Sequence, residues 1–207
     1  MSTPAIQHAR AVKLGRRLEY FTIAWNSLEA LIALAAGSLA GSVALVGFGF
    51  DSLVEVTSGA ALLWRLHHES DPHRRERAER AALRLVGVCF IILALYVAYD
   101  SLSSLWTHEA PMKSLPGILL AVVSLIVMPM LSKAKRRIAA TLNSAAMSAD
   151  ARQTEFCTYL SAILLGGLLL HALFGFWWAD PVAGLVMAPI IGKEGIAGLQ
   201  DKTCVCH

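Results

Sequence analysis

The chain has 207 residues, of which 56% are hydrophobic and only 16% are charged, and its mean hydropathy is +0.57. A soluble domain usually carries about a quarter charged residues, so this composition excludes a soluble fold and predicts an all-α integral membrane protein. The net charge of +3 is small and gives no reason to expect a nucleic-acid partner. The four cysteines are not spaced as an extracellular disulfide framework, and we expect free thiols.

The N-terminal residues 1–17 are polar and basic, without a signal-peptide cleavage pattern, and are interpreted as a cytoplasmic leader. Residues 18–39 form the first predicted span, with Asn26 and Glu29 on one helix face. Small residues at 37–42 predict a turn too short to leave the membrane surface. The first two spans therefore form a tight hairpin, in which Asn26 and Glu29 support the acidic side chains of the second span.

The second predicted span, residues 42–66, contains two carboxylates in an apolar context. Asp51 and Glu55 lie four residues apart and therefore on the same face of a helix. Such a pair is expensive in hydrocarbon and must face a polar partner. Either the carboxylates only bond a neighbouring helix or share a proton, or they bind a divalent cation in a transport pathway; we favour the second interpretation.

Residues 65–84 are predicted to form a solvated, arginine-rich cytoplasmic loop, with a surface metal site as the alternative. The side chains that would build that site are His67, His68, Asp71 and His73. The third span is predicted at residues 82–106, with Asp100 near its outer end. The fourth is predicted at residues 115–131, with Pro129 near its inner end.

A second basic loop is predicted after the fourth span, where four cationic residues follow one another closely: Lys133, Lys135, Arg136 and Arg137. The fifth span begins within residues 139–157 and ends at Phe174. The sixth covers residues 180–199, with Asp180 as its N-cap and Pro181 in its first turn. The adjacent Trp177 and Trp178 are expected at the membrane interface.

The distribution of positive charge orients this six-span arrangement. All but two of the 18 lysines and arginines fall in the leader, the two basic loops or the region after Pro181. The exceptions are Lys113, on the opposite side, and Arg152, inside a span. The positive-inside rule then predicts a multi-pass protein of the cell membrane with both termini cytoplasmic.

The fifth span offers further ligands for a cation. Asp150, Gln153 and Cys157 follow one helical stripe, while Arg152 and Glu155 point elsewhere and could pair with each other or with the basic loop. Together with Asp51 and Glu55, this stripe predicts a metal site with oxygen and sulfur ligands, which suits Zn²⁺ or a similar divalent ion. The alternative is that Cys157 is only a small buried apolar residue.

These features resemble the cation diffusion facilitator family over essentially the whole chain. The similarity lies in Asn26, the GSLAGSVAL turn, Asp51 with Glu55, Ala149-Asp150, and Trp178-Ala179-Asp180-Pro181. The resemblance implies a bundle of six transmembrane helices, a homodimer in the lipid bilayer, and export of Zn²⁺ or a related ion in exchange for protons. It implies no prosthetic cofactor and no enzymatic activity.

Two departures from the family pattern are visible. The His-x-x-x-Asp pair of the family's fifth span is replaced by Gln153 and Cys157. Residues 18–199 form the predicted transmembrane domain, and in place of the family's cytoplasmic domain we expect only a tail over residues 200–207. In this tail Cys204, Cys206 and His207 could capture metal; alternatively, the two cysteines are reactive thiols. A non-transporting membrane metal sensor or subunit is therefore the alternative function; a thiol enzyme is disfavoured because Cys157 has no activating histidine in sequence.

Overall fold

The computed structural model describes residues 4–67, 72–108 and 111–200. Within these ranges the chain forms helices and no strand, so the all-α prediction is confirmed. The six helices are α1 (Pro4–Ala40), α2 (Val43–His67), α3 (Pro72–Thr107), α4 (Leu115–Leu142), α5 (Ala145–Phe174) and α6 (Ala179–Leu199).

Five of the described helices are long and apolar enough to cross a membrane: segments Arg10–Ala40, Val43–Trp64, Gly87–Thr107, Leu115–Leu142 and Met147–Phe174. The remaining helix, α6, is 21 residues long and contains three charged residues, Asp180, Lys193 and Glu194. It nevertheless packs closely along α3 and belongs to the same bundle. The structure is thus that of a multi-pass, all-α membrane protein.

Two predicted loops are largely helical. α3 begins at Pro72 rather than at residue 82, and α4 continues to Leu142 instead of ending at residue 131. The arginine, lysine, glutamate and alanine residues there favour helix as strongly as leucine does, so a fall in hydropathy did not mark the helix ends. The alternative of a surface metal site in this segment concerns side chains that the structure does not describe: His67, His68, Asp71 and His73.

α2 lies at the centre of the bundle, where it contacts α1, α3, α5 and α6. Its hairpin with α1 turns through Gly41, which has a φ of +66°, a conformation that glycine adopts without strain. The two helices approach closely, because a Cβ added at Gly37 would lie 2.8 Å from Val46 Cγ2. The predicted tight hairpin is confirmed.

Asp180 caps a helix other than the one predicted. α6 begins at Ala179, and no side chain within the described residues caps it. The Asp180 carboxylate accepts a hydrogen bond from Ser42 Oγ (2.5 Å) and one from the Ala44 backbone N–H (3.5 Å), both at the start of α2. The prediction that Asp180 caps its own helix is wrong, whereas Pro181 does lie in the first turn of α6.

Candidate metal site in the bundle core

The carboxylates of Asp51 and Glu55 both face the interior of the bundle. Each residue is only 2% exposed, because α2 is surrounded by other helices and the spacing of four residues keeps both side chains on its inner face. Ser52, beside Asp51, is fully buried as well. The pair therefore has little access to lipid or water.

Cys157 contacts this pair from α5. Its Sγ donates a hydrogen bond to Asp51 Oδ2 at 2.8 Å, across 106 residues of sequence. Cys157 is 1% exposed, and both it and Cys89 carry free thiols. The predicted oxygen and sulfur donors from the second and fifth spans are thus neighbours.

The Glu55 carboxylate is poorly satisfied. Neither of its oxygens has a hydrogen-bond partner among the residues that the structure describes. Asn26 and Thr154 face it, and Lys135 acts on it electrostatically. The buried Nε2 of Gln153 likewise lacks a partner in this part of the chain. The residues with these unpaired atoms are each one helical turn from the contact pair, Glu55 from Asp51 and Gln153 from Cys157.

Asp150 is engaged elsewhere. Its Oδ2 accepts a hydrogen bond from Lys135 Nζ, which also lies 3.3 Å from Glu19 Oε2. Lys135 is 0% exposed, so the prediction that it belongs to a solvated basic loop is wrong. The sequence grouped Asp150 with the metal ligands, but the structure places its carboxylate on an ammonium group.

The inner face of α1 carries more polar groups than the sequence interpretation considered. Glu19, Thr22, Asn26 and Glu29 are all buried and repeat at helical spacing. Glu29 Oε2 accepts a hydrogen bond from Ser52 Oγ at 2.9 Å, so Glu29 contacts α2 through the serine beside Asp51 and not through a carboxylate. Glu19 was missed, although its position seven residues before Asn26 places it on the same stripe.

Lys135 could have been recognised from a similar pattern on α4. The buried positions of this helix include Ser124, Met128, Ser132 and Lys135, which follow one stripe. Arg136 lies off that stripe and pairs with the partly exposed Glu155. Of the two pairings that the sequence left open for Glu155, the structure has the one with the basic segment, although that segment is helical.

The donors do not yet form a closed coordination shell. Among the described residues, no group of three or more His, Cys, Asp and Glu side chains is arranged to hold a metal ion. Asp51 and Cys157 are in direct contact, so a cation bound by both would have to replace the hydrogen bond between them. The predicted secondary site at Cys204, Cys206 and His207 lies outside the described residues, as does the side chain of His73.

Comparison with known proteins agrees with a membrane transporter fold. The sequence model of the cation efflux transmembrane domain family matches residues 20–200. An uncharacterized transporter of Methanocaldococcus jannaschii is 25% identical over 178 residues, 83% of this chain and 62% of that protein. Transmembrane protein 163 of Xenopus laevis is 25% identical over 191 residues, 89% of this chain and 66% of that protein.

A third relative is the cation-efflux pump FieF of Shewanella oneidensis, which is 23% identical over 195 residues, 93% of this chain and 66% of that protein. The chain therefore spans between 62% and 66% of the length of these three relatives. The family is one of transporters rather than of enzymes. Because the family model covers nearly the whole six-helix bundle, the chain belongs to the cation efflux family, whose members are the cation diffusion facilitators.

Proposed function

We propose that this chain transports a divalent transition-metal cation, with Zn²⁺ or a similar ion as its substrate, by exchanging the metal for protons. The observation that carries the proposal is the Glu55 carboxylate, which is 2% exposed and whose oxygens form no hydrogen bond with a described residue, although Asn26 and Thr154 lie beside it. A buried carboxyl group without a partner is stable only with a proton or a bound cation. Glu55 is therefore suited to alternate between the two.

The charge balance of the bundle supports this proposal. Lys135 is the only fully buried lysine or arginine in the described part of the chain. The same part of the chain contains six buried carboxyl groups: Glu19, Glu29, Asp51, Glu55, Asp150 and Asp180. Since uncompensated charge in a membrane interior is costly, this excess of acids requires protons or mobile cations.

The contact between Cys157 and Asp51 suggests how metal and proton could exchange. A thiol coordinates metal only as thiolate, so binding must displace the S–H proton that now lies between Sγ and Asp51 Oδ2. The Asp51 carboxylate is positioned to accept that proton or to bind the metal beside the sulfur. Sulfur ligation favours Zn²⁺ and softer ions over Mg²⁺ or Ca²⁺.

The test is metal flux into proteoliposomes, with and without a pH gradient. Asp51→Asn and Glu55→Gln each keep the side-chain shape and remove one charge, and we expect flux to fall by more than about tenfold, the effect of losing about 1.4 kcal/mol of binding. Asp100→Asn and Glu155→Gln are matched controls, because these acids lie outside the candidate site. Wild-type flux in either site variant would refute the assignment.

A membrane metal sensor or non-transporting subunit is the second candidate. It is favoured by Gln153, which cannot titrate, and by the open arrangement of donors within the described residues. Metal binding that depends on Asp51 and Glu55, combined with no flux above protein-free vesicles, would support this function over transport.

We also propose the setting in which the chain acts. The charge distribution supports a cell-membrane location with cytoplasmic termini, and the family resemblance supports a homodimer. Accessibility of introduced cysteines on each side of the membrane, together with cross-linking, would test both statements.

A further inference from the structure

A lysine lies between two acids inside the bundle, on the side of the candidate site toward the ends of α2 and α4. Lys135 Nζ donates to Asp150 Oδ2 and lies 3.3 Å from Glu19 Oε2. The relative exposure of Lys135 and Glu19 is 0%, and that of Asp150 is 5%. Three helices, α1, α4 and α5, thus contribute one charged residue each to a cluster that water hardly reaches.

This Glu19–Lys135–Asp150 cluster borders the candidate metal site through α2. A Cβ added at Gly59 would lie 3.3 Å from Glu19 Oε2, and Gly59 is one helical turn beyond Glu55 on the same face. Lys135 also acts electrostatically on Glu55. The two clusters are therefore consecutive along the inner face of α2.

The cluster has the chemistry of a filled cation site. Two carboxylates from different helices converge on one positive charge, and the second oxygen of Glu19 is buried without a hydrogen-bond partner among the described residues. Oxygen donors of this type bind divalent cations. The ammonium group, however, is tethered to α4 and cannot leave.

We propose that Lys135 is an internal cation that occupies a second cation-binding position formed by Glu19 and Asp150. It confines mobile metal to the neighbouring site at Asp51, Glu55 and Cys157, and so sets the number of metal ions that the bundle holds. The inference rests on the proposed function in taking a divalent cation as the mobile ligand. Lys135 can act in this way because it is buried between the two acids, whereas a lysine in a solvated segment could not exclude metal from them.

The test counts Zn²⁺ bound to the purified full chain in detergent by equilibrium dialysis. Lys135→Met removes the ammonium and keeps a long side chain, and we expect it to bind about one more Zn²⁺ per chain than the wild type. The exposed Lys133 gives the matched control, since Lys133→Met should bind the wild-type amount. Adding Glu19→Gln and Asp150→Asn to Lys135→Met should abolish the gain.

The difference in bound Zn²⁺ between Lys135→Met and the wild type tests this inference separately from the proposed function. A wild type that binds no Zn²⁺, together with a Lys135→Met variant that gains one ion, would refute the proposed function and support the internal cation. A folded Lys135→Met variant with the wild-type amount of Zn²⁺ would overturn the inference.

If Lys135→Met does not fold in the absence of metal, the measurement becomes its thermal unfolding with and without Zn²⁺. Folding rescued by Zn²⁺ supports the inference, because the mobile ion then replaces the ammonium. A variant that stays unfolded in both conditions overturns it. Lys135→His, which offers a neutral nitrogen ligand between the same acids, should show the same gain of Zn²⁺ when folded.

Discussion

The adjacent glycines Gly166 and Gly167 offer a matched pair for testing how tightly α5 packs on α6. A Cβ added at Gly167 would lie 2.7 Å from Ala183 Cβ and 3.2 Å from the Ala179 carbonyl oxygen, whereas one added at Gly166 would meet nothing within 4 Å. Neither obstacle at Gly167 can rotate away, because one is the first carbon of a side chain and the other is backbone. Helix α6 must therefore shift to admit a methyl group.

Both substitutions to alanine gain about the same helix propensity, roughly 1 kcal/mol, so the difference between the variants isolates the contact. Overpacking a core of this kind costs about 1–3 kcal/mol. We therefore expect Gly167→Ala to be less stable than Gly166→Ala by about 1–3 kcal/mol.

Reversible unfolding in detergent micelles, followed by circular dichroism, measures the free energy of unfolding of both variants. If the two differ by less than about 0.5 kcal/mol, the normal size of a surface effect, the close approach of α5 and α6 does not exist. A lower stability of Gly166→Ala would refute the reasoning in the same way.

Two further predictions concern buried contacts between helices. Ser42→Ala removes a hydrogen bond to Asp180 and the acceptor for the Leu45 backbone N–H. It should lower the free energy of unfolding by about 2 kcal/mol. The control Ser27→Ala, at an exposed position, should change this free energy by less than about 0.5 kcal/mol. Cys157→Ser should weaken Cd²⁺ binding much more than Mn²⁺ binding, because an alcohol replaces thiolate poorly for a soft ion. Titration calorimetry with both ions measures this, and equal losses would mean that Cys157 only packs the bundle.

The sequence was sufficient to predict the number and order of the helices. Hydrocarbon demands long apolar segments with internally satisfied backbone, so runs such as residues 18–39 are visible without a structure. The common orientation of Asp51 and Glu55 could also be predicted, because a spacing of four residues places both side chains on one helix face in any surroundings. The start of α3 and the end of α4 could not be predicted, since charged residues continue the helix there.

The identity of the partners across helices required the tertiary structure. Periodicity places Asp180, Lys135 and Cys157 on helix faces but does not state which helix each face meets. Asp180 looked like a cap for its own helix, yet it binds Ser42, which is 138 residues away. From the sequence, Lys135 is one of several cations expected in water, but the packing of α1, α4 and α5 buries it. Local spacing thus determined the candidate ligands, while helix packing decided which charges compensate one another, because buried charge is stabilised by whatever group the neighbouring helix brings within a few ångströms.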